Sequence, residues 1–280
     1  LTRPALKRTV FFVSDQTGIT AETMGRSLLT QFDAVELRLV TMPFISDHQK
    51  AADAVRKINM TAELEGDRPL VFATFVDEEI RARLSTCNAF FLDFFDAFIG
   101  PLETELGQDS THKTGRAHGL ANDAAYRRRI EAINYSLSHD DGLTAEDYAT
   151  ADVVLVGVSR SGKTPTSLYL ALQYGVFAAN FPLTDEHFDR DGRGLPEPIR
   201  KVHRKLFGLT IEPATLHDIR EDRRPNSRYA SPQQTRYEVR EAEAMFKRHG
   251  IPYTNTTRSS VEEVSARIVN TMRLAKRERS

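Results

Sequence analysis

Apolar runs and amphipathic stretches alternate along the chain in two series, the pattern of βα units wound on mainly parallel sheets. The first series opens with the run Thr9–Val13. A helix is predicted over Ala21–Phe32, where Met24, Leu28 and Phe32 recur every fourth residue and so share one face. Val35–Val40 reads as the next strand, Asp47–Ile58 as a helix, Leu70–Val76 as a strand, and a further helix starts at Glu78. The very apolar Phe90–Phe95 supplies a fourth strand, and residues 1–106 are expected to form an N-terminal α/β domain. Residues 107–120 then turn polar and glycine-bearing. They lead into an arginine-rich helix over Tyr126–Leu137, the tight turn His139–Gly142 and a short capped turn at Thr144–Asp147, so residues 107–148 read as an inter-domain segment.

The second series, residues 149–280, starts with the strand Ala151–Val156 and a helix over Lys163–Tyr174. It continues through Val176–Phe181, the strand Leu206–Ile211, a helix after Pro213, a long helix over Ser231–Arg248 and the strand Ile251–Thr256. A last helix opens on the capping box Ser260-Val-Glu-Glu263. The expected fold is therefore α/β, with two parallel-sheet domains.

Between the first strand and helix of the second series lies GVSRSGKT, the spacing G-x-x-x-x-G-K-T. Gly157, Val158, Ser159, Arg160, Ser161, Gly162, Lys163 and Thr164 are expected to form a phosphate-binding loop. The glycines allow a path that turns N–H groups onto phosphate oxygens, Lys163 reaches the terminal phosphates, and the Thr164 hydroxyl can ligate Mg²⁺. A glycine turn between strand and helix is the plainer alternative. Context favours the phosphate loop: a β-branched strand precedes it, Pro165 falls in the first helical turn where a missing N–H is harmless, and Gly175 closes the helix. The C-terminal domain thus reads as P-loop kinase-like.

Composition narrows the class. At 280 residues with 40% hydrophobic content the chain can bury two modest cores, and a formal net charge of −1 offers no general attraction to nucleic acid or an anionic membrane. Cys87 is the only cysteine, which excludes an internal disulfide and a thiolate metal cluster; its apolar, helix-like context points to core packing. No run approaches the length of a membrane span, and LTRPALKR lacks the apolar core of a signal peptide, so a cytoplasmic enzyme is expected.

Other residues carry candidate chemistry. Ser14-Asp15-Gln16-Thr17-Gly18 lies where the first strand feeds the first helix, a place where parallel sheets bind ligands; an ordinary turn is the alternative. Asp140 and Asp141 stand just before the loop strand, where one can hold Mg²⁺ or accept a substrate proton, although DDG is also a common connector. His118 and His139 flank the arginine-rich helix as candidate bases or phosphate ligands, or as ordinary turn histidines. Arg220, Arg223, Arg224 and Arg228 could clamp phosphoryl oxygens as a lid, or form a solvated helix face. The apolar run before Asp77 imitates a metal-binding strand but sits in the other domain. No N-K-x-D guanine motif is present, and the motifs by themselves define a P-loop phosphotransferase.

The chain resembles a family, the bacterial phosphoenolpyruvate synthetase (synthase) regulatory proteins, relatives of the pyruvate, phosphate dikinase regulatory proteins. The resemblance is carried by VFFVSDQTGITAETMGRSLLTQF, RPLVFATF, RRRIEAINYSLSHDDG, VVLVGVSRSGKTPTSLYLA, RKLFGLTI and IREDRRPNSRYAS, in order over nearly the whole chain. LVTMPFI and NSRYAS look more like the synthetase branch. The resemblance implies a bifunctional enzyme whose protein substrate is phosphoenolpyruvate synthetase. As a serine/threonine kinase, it moves the β-phosphoryl of ADP to a threonine near the target's catalytic histidine and inactivates the target. As a phosphorylase, it uses inorganic phosphate to remove that group, releasing pyrophosphate. The same activities on the dikinase, or a small-metabolite kinase, are the alternatives. Under this reading Lys163 is catalytic, Asp141 or Asp140 takes the threonine proton with His139 behind them, and Thr164 is the metal ligand. The first domain recognises the target, and a homodimer is compatible with such a regulator.

Overall fold

The computed structural model describes residues 6–32, 35–111, 123–140, 148–188 and 194–274. Asp141, Gly142, His118 and the Thr144–Asp147 turn lie outside the described residues. The chain divides between its fourth and fifth helices into two compact units.

The first unit comprises β1 (Leu6–Ser14), α1 (Ile19–Leu29), β2 (Val35–Met42), α2 (His48–Glu65), β3 (Leu70–Thr74), α3 (Glu78–Leu84), β4 (Phe90–Asp93) and α4 (Phe94–Leu106). Its four strands are all parallel, in the order β2-β1-β3-β4. Alternation along β1 splits the core between two faces: Phe11 and Val13 pack with Ala54 and Ile58 of α2 and Ile80 of α3, while Val10 and Phe12 pack with Ala21 of α1 and Phe94 of α4. The apolar run Phe90–Phe95 is not one strand. Asp93 interrupts it, its carboxylate accepting the N–H groups of Phe95 at 2.8 Å and Asp96 at 3.1 Å, and this cap starts α4. Cys87 sits in the turn after α3 rather than in a helix; it is buried in the core, which pushes its thiol up to about 11.

The second unit contains α5 (Asp123–Ser138), β5 (Val153–Val158), α6 (Lys163–Tyr174), β6 (Ala178–Leu183), the short α7 (Asp185–Phe188) and α8 (Glu197–Arg200), and β7 (Leu206–Thr210). It ends with α9 (Pro213–Arg223), α10 (Pro232–Arg248), β8 (Tyr253–Asn255) and α11 (Val261–Met272). Again the sheet is parallel, in the order β6-β5-β7-β8. Every residue of the central strand β5 is buried, which explains its unbroken apolar sequence. Val154 and Val156 face the α9 and α10 side, whereas Val153 and Leu155 face α6 and α11. The arginine-rich helix α5 packs on α6. Its Arg128 donates to the Gly175 carbonyl at 3.0 Å, pairs with Asp152 at 3.2 Å and lies over the Phe177 ring. Ser260 and Glu263 form the expected capping box at the start of α11.

Both sheets share one topology. In each, the first strand has its successor on one side and the third strand on the other, which opens a crevice beyond its carboxyl end. Ser14–Gly18 occupies that place in the first unit and Gly157–Thr164 in the second.

Candidate active site

The glycine-rich loop joins β5 to α6, and its shape follows from its residues. Gly157 has no room for a side chain: a Cβ there would lie 2.4 Å from the Leu209 carbonyl oxygen and 2.7 Å from Ser161 Oγ. Gly162 (φ +87°) adopts a left-handed conformation at the start of α6, and so does Arg160 (φ +74°), where a side chain is strained. Ser161 is fully buried, and its Oγ donates to the Val158 carbonyl at 2.9 Å.

Side chains engage four of the loop carbonyls. Lys163 Nζ donates to Gly157 O at 3.0 Å and Val158 O at 2.9 Å, Arg220 to Ser159 O at 3.1 Å, and Thr256 Oγ1 to Ser161 O at 3.2 Å. Among the described residues, the N–H groups of Arg160 and Gly162 donate to no protein acceptor. These donors and the N-terminus of α6 border a cavity of about 500 Å³. Its walls include Ser159, Lys163, Thr164 and Pro165 on the loop side, and Ile219, Arg223, Arg224 and Tyr229 opposite. N–H groups without a protein acceptor, a helix N-terminus and the four cationic side chains Arg160, Lys163, Arg223 and Arg224 suit a polyanion.

Asp140, just beyond α5, meets Thr164. The hydroxyl donates to both carboxylate oxygens, at 2.9 and 3.1 Å, and Asn180 Nδ2 of β6 donates to the same carboxylate. Asn180 is itself held by Ser167, and its N–H bonds the His139 carbonyl at 3.0 Å, so β6 fixes where Asp140 stands. A threonine hydroxyl against a carboxylate is a pair of hard oxygen donors. That set fits Mg²⁺, which takes one or two protein ligands and completes its shell with water and phosphate oxygens. His139 is buried, stacked on Tyr135 with ring centres 3.9 Å apart, and its Nδ1 contacts the Tyr135 carbonyl at 2.9 Å.

The four arginines separate. Arg220 is wholly buried and pairs with Glu238 at 2.7 Å, so it is no lid residue, whereas Arg223 and Arg224 reach the cavity wall and Arg228 is exposed. Sequence reasoning missed Tyr229, whose hydroxyl lies 2.9 Å from Ser159 Oγ, and Asn180 as the partner of Asp140. An asparagine inside the otherwise apolar Ala178–Leu183 was the available signal for the second.

In the first unit, Asp15 is buried, and that burial raises its carboxyl above the usual range against several lowering hydrogen bonds. Ser14 Oγ accepts the Gln16 N–H and the Thr74 hydroxyl, each at 3.1 Å, while Gly18 (φ +77°) begins α1. Asp77 caps α3, accepting N–H groups of Glu79 and Ile80. Among the described residues, no helix is long and apolar enough to cross a membrane.

Residues 10–269 match the model of a family described as kinase/pyrophosphorylase. A protein of Azoarcus sp. is 54% identical over 268 residues, 95% of this chain and 96% of its own length. One from Marinobacter nauticus is 52% identical over 266 residues, 95% of this chain and 97% of the relative. One from Legionella pneumophila is 51% identical over 264 residues, covering 94% and 97%. All three bear the name "Putative phosphoenolpyruvate synthase regulatory protein". With both units covered by the match and the loop, Asp140 and the cavity within it, this chain belongs to the kinase/pyrophosphorylase family.

Proposed function

We propose that the protein is a bifunctional regulator of phosphoenolpyruvate synthase, an ADP-dependent threonine kinase and a phosphate-dependent, pyrophosphate-forming phosphorylase. One observation carries the reading: a glycine-rich loop whose Arg160 and Gly162 N–H groups donate to no acceptor among the described residues, with Lys163 and then Thr164 against Asp140, in a chain of the kinase/pyrophosphorylase family. The relatives' names supply the target, synthase rather than dikinase.

In the forward direction the threonine oxygen of the target attacks the β-phosphorus of ADP. The new O–P bond forms as the bond to the AMP oxygen breaks, AMP leaves, and the threonine proton passes to a carboxylate. Because the β-phosphate is terminal in ADP, Lys163 and the loop N–H groups bear on the transferred group itself. Preorganised donors of this kind supply roughly 3–4 kcal/mol each to the transition state. In reverse, an oxygen of inorganic phosphate attacks phosphothreonine, the P–O(threonine) bond breaks, threonine regains a proton and pyrophosphate leaves. One anion cradle thereby serves both reactions.

Thr164 and Asp140 would hold Mg²⁺, which when bound neutralises charge on the phosphate oxygens. That role leaves the proton of the threonine hydroxyl to Asp141, the adjacent carboxylate. Arg223 and Arg224 close over the phosphates, and the first unit recognises the synthase. The test is transfer from β-labelled ADP, against γ-labelled ATP, to synthase carrying its catalytic phosphohistidine. Label from ADP on threonine with loss of synthase activity supports the proposal; transfer from ATP alone, or from neither nucleotide, overturns it.

A further inference from the structure

Arg220 lies outside the cavity and touches nothing in solvent, yet its contacts converge on the loop. On α9 and wholly buried, it donates to Ser159 O at 3.1 Å, to Tyr229 O at 3.0 Å and to the Glu238 carboxylate of α10 at 2.7 Å. Its guanidinium also stands 4.1 Å from the centre of the Tyr229 ring. A buried ion pair is weak evidence of stability, because desolvation consumes much of the attraction. A planar cation with three directed bonds, one of them to a loop carbonyl, has a more specific use.

No cis peptide occurs among the described residues, so the C=O and N–H of each peptide unit point in opposite directions. Ser159 O is drawn outward to Arg220. The N–H of the same unit belongs to Arg160 and is therefore turned away from Arg220, where no protein group among the described residues accepts it. Arg160 meanwhile holds φ +74°, a conformation a non-glycine residue keeps only where its surroundings impose it. Thr256 makes the corresponding bond to Ser161 O, at 3.2 Å, behind the N–H of Gly162.

We infer that Arg220 is a positioning residue: braced by Glu238 and Tyr229, it turns the Ser159–Arg160 peptide so that the Arg160 N–H donates to the phosphate bound in the loop. The inference rests on the phosphate-loop reading and adds to it the device that orients one donor. Because that donor faces the anion in both directions, Arg220 acts alike on ADP and on inorganic phosphate.

The experiment is a titration of the full-length, ¹⁵N-labelled protein with inorganic phosphate, following the backbone amides of Arg160 and Gly162. In the unsubstituted protein both move downfield as phosphate binds. Arg220→Lys keeps a cation but cannot reach Ser159, Tyr229 and Glu238 together. It should lose the Arg160 response, keep that of Gly162, and weaken phosphate about ten- to a hundredfold, the size of one charge-assisted hydrogen bond. KM for ADP and for phosphate should rise by similar factors, with kcat changing less. Glu238→Gln, which keeps a weaker hydrogen bond to the guanidinium, should shift the same resonance in the same direction by less, and it carries the test if the lysine variant does not fold. A folded variant whose Arg160 amide responds with full amplitude and unchanged affinity overturns the inference. Absence of any loop response in the unsubstituted protein overturns the phosphate-loop reading and the inference together, a result distinct from an unaffected variant.

Discussion

Replacing Gly157 by alanine perturbs both the sheet and the loop, and the structure sets the size of the effect. The added Cβ would stand 2.4 Å from the Leu209 carbonyl oxygen and 2.7 Å from Ser161 Oγ. Neither neighbour yields easily. Leu209 O is backbone of β7, the strand paired with β5, and Ser161 is fully buried with its hydroxyl committed to Val158 O. Reaching ordinary contact requires roughly 1 Å of separation. Overpacking of this kind costs about 1–3 kcal/mol, and for a unit of this size each kcal/mol lowers the melting temperature by roughly 2–4 °C. A loss of about 2–12 °C by calorimetry is therefore expected. The same displacement moves the loop, and a misplacement near 1 Å costs about a hundredfold in rate. Gly162→Ala is the matched control: nothing lies within 4 Å of its would-be Cβ, so only the φ of +87° is strained, and the melting loss should be smaller. If Gly157→Ala melts within a degree of the unsubstituted protein and transfers phosphate at its rate, the close approach of β5 to β7 is not what shapes the loop.

Further expectations concern the Thr164–Asp140 pair, the buried acids and the first unit. Asp140→Asn leaves the Thr164 hydroxyl an acceptor but removes the charge, and should raise the Mg²⁺ concentration for half-maximal transfer about tenfold or more; an unchanged Mg²⁺ titration contradicts the assignment. Cys87, raised by burial to about 11, favours its protonated form when folded, so its contribution to stability is complete below pH 9 and is lost as pH rises from 9 towards 11. Denaturant midpoints should fall over that window, less so in Cys87→Ala, and iodoacetamide at pH 8 should leave the native thiol largely unmodified. Asp15 also has a raised pKa from burial, so its stabilising effect is present below the ordinary carboxylate value of 3.8 and is lost as pH rises through the folded value. Asp15→Ala should flatten that part of the pH–stability curve; if the Ser14–Asp15 turn serves target recognition, it should also weaken synthase binding in a pull-down or calorimetric titration.

Much of this fold is legible in the chain because local signals and long-range packing agree. The βα alternation, the capping box at Ser260 and the bounds Lys163–Tyr174 all follow from periodicity and capping chemistry. Phe90–Phe95 misled because its hydrophobicity is nearly continuous while its structure turns on the one carboxylate within it, Asp93, which accepts two N–H groups. The loop was readable because its backbone shape needs glycine at fixed positions, Gly157 where a Cβ would meet Leu209 O and Gly162 at φ +87°. Its supports were not. Asn180, Tyr229, Glu238 and Thr256 reach it from separate elements, and no spacing rule links residues that only the sheet order brings together. Arg220 shows the same limit, since a run of arginines on one helix does not reveal which of them is buried.

The central claim is that one anion cradle serves both transfers. The most direct measurement is therefore to follow both reactions in Lys163→Ala: label from β-labelled ADP onto the synthase, and pyrophosphate released from phosphorylated synthase with inorganic phosphate. The account predicts that the two rates fall together, by about a hundredfold or more, in a protein that still melts cooperatively. Loss of one reaction with the other at its full rate would place the two chemistries in different sites and contradict it.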